Sequence, residues 1–391
     1  MTFSSQVWNM SADTTVSIFY GPLSWFKQEL GDLEHESLLE LVHELDEERR
    51  QFRLVGHGQQ EPLESSRQRP ALVVAESNDY ASFNEHFITN FAGQIRSIDP
   101  EELWLHNPPA IVQAQVQRLF GVNVERYDYP AVTVETLVKI NEGFAAHLVG
   151  QNAVKESLLA ALYPLTASGR TRPVVLMFFG PSGVGKTETA QFVNSLLGGE
   201  LMRKQFSMFH SDKFASYLFG GHHSEGSFAR DLLDRDSGVI LIDEFDKANP
   251  IFHSAFYQLF DGGLFEDKNY HVEVGPEVII CTSNYESEDQ IREALGDALF
   301  SRFDALIRFR QLSRPETVRI IDIILDRRLN DLTEKELELL DQDGLREKLH
   351  GMASNVKNVR KLAKFVDEVL SLQLVRALIT RPSNTELSAS E

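Results

Sequence analysis

Short unbroken apolar runs alternate along this chain with stretches whose apolar residues return every three or four positions, the pattern of buried parallel strands joined by helices. Val174–Phe179, Val239–Ile242 and Val278–Cys281 are the clearest runs. After the first, Ala190, Val193, Leu196 and Leu197 keep helical spacing until Gly198-Gly199 stops it. Upstream, Val132 to Ala146 has helical spacing and runs into Leu148-Val149-Gly150-Gln151. Val154, Leu158, Leu159 and Leu162 mark a further helix before Ser168-Gly169 and Pro173 break the chain. The pattern predicts an α/β fold, a doubly wound parallel sheet with helices following it.

The front of the chain carries weaker signals of the same kind. Val16–Tyr20 reads as a strand ended by Gly21-Pro22, Leu38, Leu41, Val42 and Leu45 as one face of a helix, and Ala71–Ala75 as a second strand. Asn107-Pro108 reads as an N-cap and first helical position, with Gly121 as the stop. These predict a small α/β domain over residues 1–125 with no internal repeat and no catalytic constellation. The polar stretch Gly56 to Pro70 is expected to be a loop, and the Ser- and Asn-rich tail 381–391 to be disordered.

A length of 391 residues implies two or three domains. With 42% hydrophobic and 25% charged residues the chain is of globular composition, and no run approaches the roughly eighteen apolar residues of a membrane span. The start, with Asp13 and few basic residues, does not read as a signal peptide, and a cytoplasmic location is expected. One cysteine, Cys281, excludes an intrachain disulfide and a multi-thiolate metal site. His35, His43, His57 and His86 are too scattered to suggest metal ligands. The net charge of −20 disfavours a duplex-binding surface. Residues 1–146 hold 22 Asp/Glu against 10 Lys/Arg, so the front is the more acidic part.

Chemistry enters at the ends of the apolar runs. Gly180-Pro181-Ser182-Gly183-Val184-Gly185-Lys186-Thr187 follows a strand and opens a helix, the setting in which backbone N–H groups curl around a β-phosphate. Lys186 reaches the β/γ oxygens and the Thr187 hydroxyl binds Mg²⁺. Asp243 and Glu244 end the second run, where Asp243 would hold Mg²⁺ and Glu244 polarise a water for in-line attack. Asn284, closing the third run, could bridge that water and the γ-phosphate without competing for its proton. Arg302 in Phe300-Ser301-Arg302-Phe303-Asp304 is either a local salt-bridge partner or a cation for a neighbouring subunit's nucleotide.

The string Leu148-Val149-Gly150-Gln151, GPSGVGKTE at 180–188, VILIDEFDKANP at 239–250, TSN at 282–284 and FSRFD at 300–304 resembles the AAA+ ATPase module of the Clp unfoldase and disaggregase family, especially its C-terminal ring. The resemblance covers roughly 135–375 and implies ATP and Mg²⁺ as ligands. By it, Val149 and Gly150 contact adenine, residues 181–188 from Pro181 to Glu188 cradle the phosphates with Lys186 and Thr187, and Asp243 and Glu244 form the Walker B pair. Asn284 becomes the sensor and Arg302 the finger acting across a boundary in a hexameric homo-oligomer. The P-loop AAA+ subdomain then spans 126–310 and a helical lid 311–380.

Two departures qualify the resemblance. Where the family places an arginine that senses γ-phosphate, this chain has Lys357, with Arg360 one turn later as a substitute. Leu218 to Phe228 runs through the region of the substrate-gripping pore loop without its aromatic, leaving Tyr270, His222 and His223 as candidate grips. Tyr285 to Leu299 is too short for a peptidase-docking loop, so no Clp-type peptidase is expected as a partner. The function expected is ATP-driven remodelling of a protein substrate or partner selected by residues 1–125. The alternative is an ATP-controlled switch or scaffold without threading, and a nucleic-acid motor is disfavoured by the charge.

Overall fold

Two five-stranded parallel sheets follow one another along the chain in a computed structural model that describes residues 14–54, 68–208, 211–353 and 358–380. The first contains β1 (Thr15–Tyr20), β2 (Glu36–Ser37), β3 (Leu72–Ala75), β4 (Glu102–His106) and β5 (Gly121–Arg126), in the spatial order β2-β3-β4-β1-β5. The second contains β6 (Val174–Phe179), β7 (Met202–Gln205), β8 (Val239–Asp243), β11 (Val278–Thr282) and β12 (Ala305–Arg308), in the order β12-β6-β11-β8-β7. Between β8 and β11 lies a hairpin of β9 (Leu264–Glu266) and β10 (His271–Glu273). The predicted doubly wound parallel sheet is therefore present.

Numbering the strands of each sheet by their appearance gives the same order, 2-3-4-1-5, in both. The absence of an internal repeat, expected from the sequence, holds for residues but not for topology: the chain runs through one βα plan twice. The first lobe's strands hide this, because β2 has two residues and β5 is exposed along nearly its whole length, so neither shows an apolar run. In β6, by contrast, all six residues are buried, each large apolar side chain worth roughly 1.5–3 kcal/mol on burial.

Two local readings need correction. Asn107 is not an N-cap: its φ is +45°, and the helix begins at Ala110 after Pro109. The Asn107 side chain is turned instead onto Gly21, accepting from its N–H at 3.1 Å and donating to its carbonyl at 2.9 Å. Gly121 does not simply stop that helix but starts β5, which extends to Arg126. Elsewhere Thr133 and Thr136 form a capping box that starts the helix Val134–His147. The expected loop over residues 56–70 falls mostly outside the described residues, as does the tail 381–391.

The lobes share a continuous apolar core that includes Val16, Phe87 and Leu103 from the first and Phe206, Phe228 and Phe265 from the second. Helices Arg314–Asn330, Gln342–Met352 and Val359–Thr380 form a separate bundle around Ile321, Leu325, Leu345, Leu349 and Val366.

Candidate active site

Strand β11 pairs with β6 on one side and β8 on the other, Val278 lying opposite both Val174 and Val239. Their C-terminal ends therefore fall at one edge, where an open parallel sheet places ligands. The turn after β6 has a shape side chains would forbid: Gly180 has φ +130° and a Cβ there would strike the Phe309 carbonyl oxygen. Gly185, at φ +105°, is the N-cap of the helix Lys186–Leu197, so the free N–H groups of its first turn face the edge.

Lys186 is buried and donates to the carbonyls of Gly180 at 2.6 Å and Pro181 at 2.8 Å, and to Asn284 Oδ1 at 3.2 Å. Burial pulls its ammonium down to about 8, against the opposing pull of the Asp246 and Asp243 carboxylates. Thr187 Oγ1 donates to Asp243 Oδ2 at 3.5 Å. The structure thus brings together Lys186, Thr187, Asp243 and Asn284 from three separate elements.

Asp243 and Glu244 are held by their neighbours on both sides. Arg203, on β7, donates to Asp243 Oδ2 from Nε at 3.0 Å and Nη2 at 2.5 Å, and the Thr282 hydroxyl donates to Asp243 Oδ1. The same hydroxyl oxygen accepts the Glu244 N–H at 3.0 Å. Gln205, two residues beyond Arg203, donates to Glu244 Oε2 at 3.1 Å. Glu244 sits in the left-handed region at φ +57°, which costs a non-glycine residue about 1–3 kcal/mol and is typical of functional positions. Sequence reading gave Thr282 no role beyond its place in the TSN motif, and it missed Arg203 and Gln205 altogether. Polar residues on a short strand carry no motif, and only the pairing of β7 with β8 makes them neighbours of the carboxylates.

A cavity of about 560 Å³ opens over these groups, bounded by Ser182 to Glu188, Arg203, Asp243, Glu244 and Asn284. One end is apolar, with Leu148 and Val149 on one wall and Ile320, Ile323 and Ile324 of the helical bundle on the other, a slot suited to a flat base. Gly150 does not line the cavity: at φ +77° it packs beneath Glu316, whose side chain a Cβ would strike. Pro181 is likewise off the wall and contributes its carbonyl to Lys186. Lys357 lies outside the described residues, whereas Arg360 lines the cavity. The bundle touches the turn directly, Asn358 Nδ2 donating to the Ser182 carbonyl at 3.1 Å and the Val359 N–H to that of Gly183 at 3.0 Å.

Arg302, expected to be catalytic, is placed away from the cavity. Its Nε donates to Asp261 at 2.8 Å and its guanidinium lies 4.7 Å over the Tyr257 ring, away from its own chain's cavity. The candidate grips are also displaced: Tyr270 is buried, and His223 is buried with its ring Nε2 2.8 Å from the Phe83 carbonyl oxygen of the first lobe. Only His222 is exposed.

A glycine-rich turn feeding a helix, two carboxylates at the end of the next strand but one and an amide at the end of the strand between them is the arrangement of a nucleoside triphosphatase, and the comparisons agree. The family model described as AAA domain (Cdc48 subfamily) matches residues 172–338. The chain carries a Clp-like AAA+ module. This module is that of ATP hydrolases. ClpE of Bacillus subtilis (strain 168) is 27% identical over 274 residues, 61% of this chain and 39% of its own length. ClpB of Propionibacterium freudenreichii subsp. shermanii is 27% identical over 276 residues, 63% of this chain and 32% of its own. The chain thus spans about a third to two fifths of these relatives. A closed-state reconstruction of Hsp104 with ATPyS and FITC casein shares the fold, with a TM-score of 0.53 at 16% identity, covering 94% of this chain and 89% of that one. No helix among the described residues of the module or its neighbours is long and apolar enough to cross a membrane.

Proposed function

We propose that this chain binds Mg-ATP in the cavity over β6, β8 and β11, hydrolyses it within a ring of identical subunits, and uses the cycle to remodel a protein partner. The observation that carries the reading is the convergence of Lys186, Thr187, Asp243 and Asn284 on one strand edge, with Glu244 held beside them by Gln205. Lys186 takes the β/γ oxygens, to which its charge is drawn out of a desolvated setting. Thr187 Oγ1 and Asp243 Oδ2 are the oxygen donors that would hold Mg²⁺, which when bound neutralises charge on the phosphate oxygens. Glu244 orients and deprotonates the attacking water, and Asn284 fixes it from the next strand. Arg360, which lines the cavity from the bundle, would take the γ-phosphate contact in place of Lys357. Arg302 serves the adjacent subunit after leaving Asp261, which makes the ring, six subunits by analogy with the relatives, part of the active site.

A second reading is favoured by a specific observation. The segment that should carry the pore loop is tied down by His223 on Phe83 and by the Lys268 N–H on the Phe219 carbonyl at 3.0 Å. That tethering suits a nucleotide-controlled switch that recruits an effector without threading. Neither reading calls for a Clp-type peptidase, since the helix Glu288–Phe300 uses up the chain a docking loop would need. Residues 1–125 remain the proposed partner-binding part. Phosphate release with and without unfolded casein separates the two: several-fold stimulation supports remodelling, whereas slow, unstimulated release with ATP-dependent assembly supports the switch. No magnesium-dependent phosphate release at all would sink both.

A further inference from the structure

The corner that binds phosphate in the second lobe exists in the first, and it is filled. Both lobes leave their first strand through an aromatic-Gly-Pro sequence, Tyr20-Gly21-Pro22 and Phe179-Gly180-Pro181. In the second lobe the helix starts at Lys186, leaving a loop long enough to wrap a phosphate, whereas in the first it starts at Leu23, directly after the proline. The turn has no phosphate-length loop and no buried lysine, and Ser24 and Lys27 of the helix that follows are engaged with Asp236 and Glu76. A Cβ on Gly21 would strike Tyr127 Cβ, so the turn itself is packed against that residue, beside a cavity of about 460 Å³ that Tyr20, Gly21 and Tyr127 help to line.

What occupies the strand ends comes from the other lobe. Asp234 follows the short helix Phe228–Leu233, which lies between the tethered segment and β8. Its carboxylate accepts from Asn107 Nδ2 at 2.6 Å and from the Ser77 hydroxyl at 3.3 Å, at the ends of β4 and β3. Asn107 is fully buried, with its remaining amide N–H and its oxygen both spent on Gly21. His106 beneath it is fully buried and faces the Gly21 carbonyl oxygen with Nε2 at 2.8 Å. Arg230 closes the rim, donating to Asn78 Oδ1 at 2.5 Å and to the Ser77 carbonyl at 3.2 Å. Ser24 on Asp236 at 2.9 Å and the Ala110 N–H on the Asn269 carbonyl at 2.8 Å extend the contact.

We infer that residues 14–126 are a second copy of the nucleotide fold whose phosphate corner has become a socket for the Asp234 carboxylate, so that each chain binds a single nucleotide and its two lobes turn as one body. A carboxylate takes the place a phosphate takes in a working copy because both are anions met by amide and hydroxyl donors at strand ends. The helix Phe228–Leu233 is joined to β8 by only five residues, so a movement at Asp243 and Glu244 reaches the socket without leaving the chain. This goes beyond ATP hydrolysis and does not depend on it.

The test uses the full chain as wild type, Asp234→Asn, Asp234→Lys and Lys186→Ala, with ADP as the probe. Equilibrium dialysis should give one ADP per chain in the first three and none in Lys186→Ala; two per chain would overturn the inference. Trypsin cleavage after Arg126, between the lobes, should accelerate roughly 10- to 100-fold in Asp234→Lys, the range expected when a charge-assisted pair of contacts is lost, and less in Asp234→Asn. Small-angle scattering should show a larger radius of gyration for Asp234→Lys. Retained ADP binding certifies that the ATPase lobe is folded in each variant. An Asp234→Lys protein that binds ADP but is cleaved and scatters like wild type would overturn the socket, and neither readout moves if the chain merely fails to hydrolyse ATP.

Discussion

In the first sheet Ala75 stands opposite Leu105, which stands opposite Ile18; in the second, Ile242, Cys281 and Met177 form the same rung. One residue further on, Glu76 and His106 take the places of Asp243 and Thr282, and Ser77 and Asn107 those of Glu244 and Ser283. Glu76 pairs with Lys27 at 3.4 Å in the open, while Asp243 is clamped by Arg203 and Thr282. Identical topology thus delivers side chains to the same edge twice, and chemistry follows only where a loop, an ammonium and two carboxylates arrive together. The fold supplies the address and the strand-end residues decide its use.

In the proposed function catalysis belongs to the second lobe and its edge, which is where breaking it should hurt most. Arg302→Ala is expected to keep ADP binding and lose about 10³–10⁵ in turnover, the usual worth of an arginine finger. Mixing it with Glu244→Gln protein should restore some turnover, because one mixed interface pairs an intact Arg302 with an intact Glu244. A local role on Asp261 predicts instead a lower melting temperature and no rescue. Next in size, Glu244→Gln should spare ATP binding and slow phosphate release by about 10² to 10⁴, the scale of a positioned base. If single-turnover release were unchanged, the base would lie elsewhere.

How far the sequence revealed this differs between the lobes for physical reasons. The second lobe's strands are buried on both faces, so they read as unbroken apolar runs with Gly180, Asp243 and Thr282 punctuating them. The first lobe's β4 alternates, β2 is two residues long and β5 lies at an exposed edge, so only two of its five strands carried a signal. Asn107-Pro108 resembled a helix cap because local chemistry is the same for a cap and for a socket; only the long-range partners Gly21 and Asp234 distinguish them. Arg203 and Gln205 were invisible for the same reason, since their meaning depends on pairing with β8. In the lid, Arg360 was legible only as a substitute for Lys357, and its place on the cavity wall comes from the fold.

Lys186 sharpens the contrast by pH, since the first lobe has no equivalent ammonium at its corner. Burial lowers its nucleotide-free value from the usual 10.5 to about 8, and bound phosphates restore the charge, raising the value in the complex. Below pH 8 the side chain is charged in both states and binding takes up no proton. Above it the free protein must gain one to bind, so ATP affinity should fall by up to about tenfold per pH unit as pH rises. Calorimetric titrations at pH 9 in two buffers of different ionisation enthalpy should show uptake approaching one proton per ATP. Equal heats in both buffers would mean that Lys186 stays charged in the free protein.

The smallest expected effect concerns Gln205, which holds Glu244 Oε2 at 3.1 Å and so keeps the base turned toward β7. In the first lobe the corresponding strand, β2, ends at Ser37, and Ser77 in the place of Glu244 is bound to Asp234 instead. If the Gln205 contact parks the carboxylate away from the γ-phosphate, Gln205→Ala should raise basal turnover by about two- to tenfold, the worth of one released hydrogen bond, and leave the ATP dissociation constant unchanged. Steady-state phosphate release at saturating ATP measures it, with Glu244→Gln/Gln205→Ala as the control that must stay as slow as Glu244→Gln alone. A drop in turnover on removing Gln205 would show the opposite, that the amide aims Glu244 at its water, and β7 would then belong to the catalytic geometry rather than to its restraint.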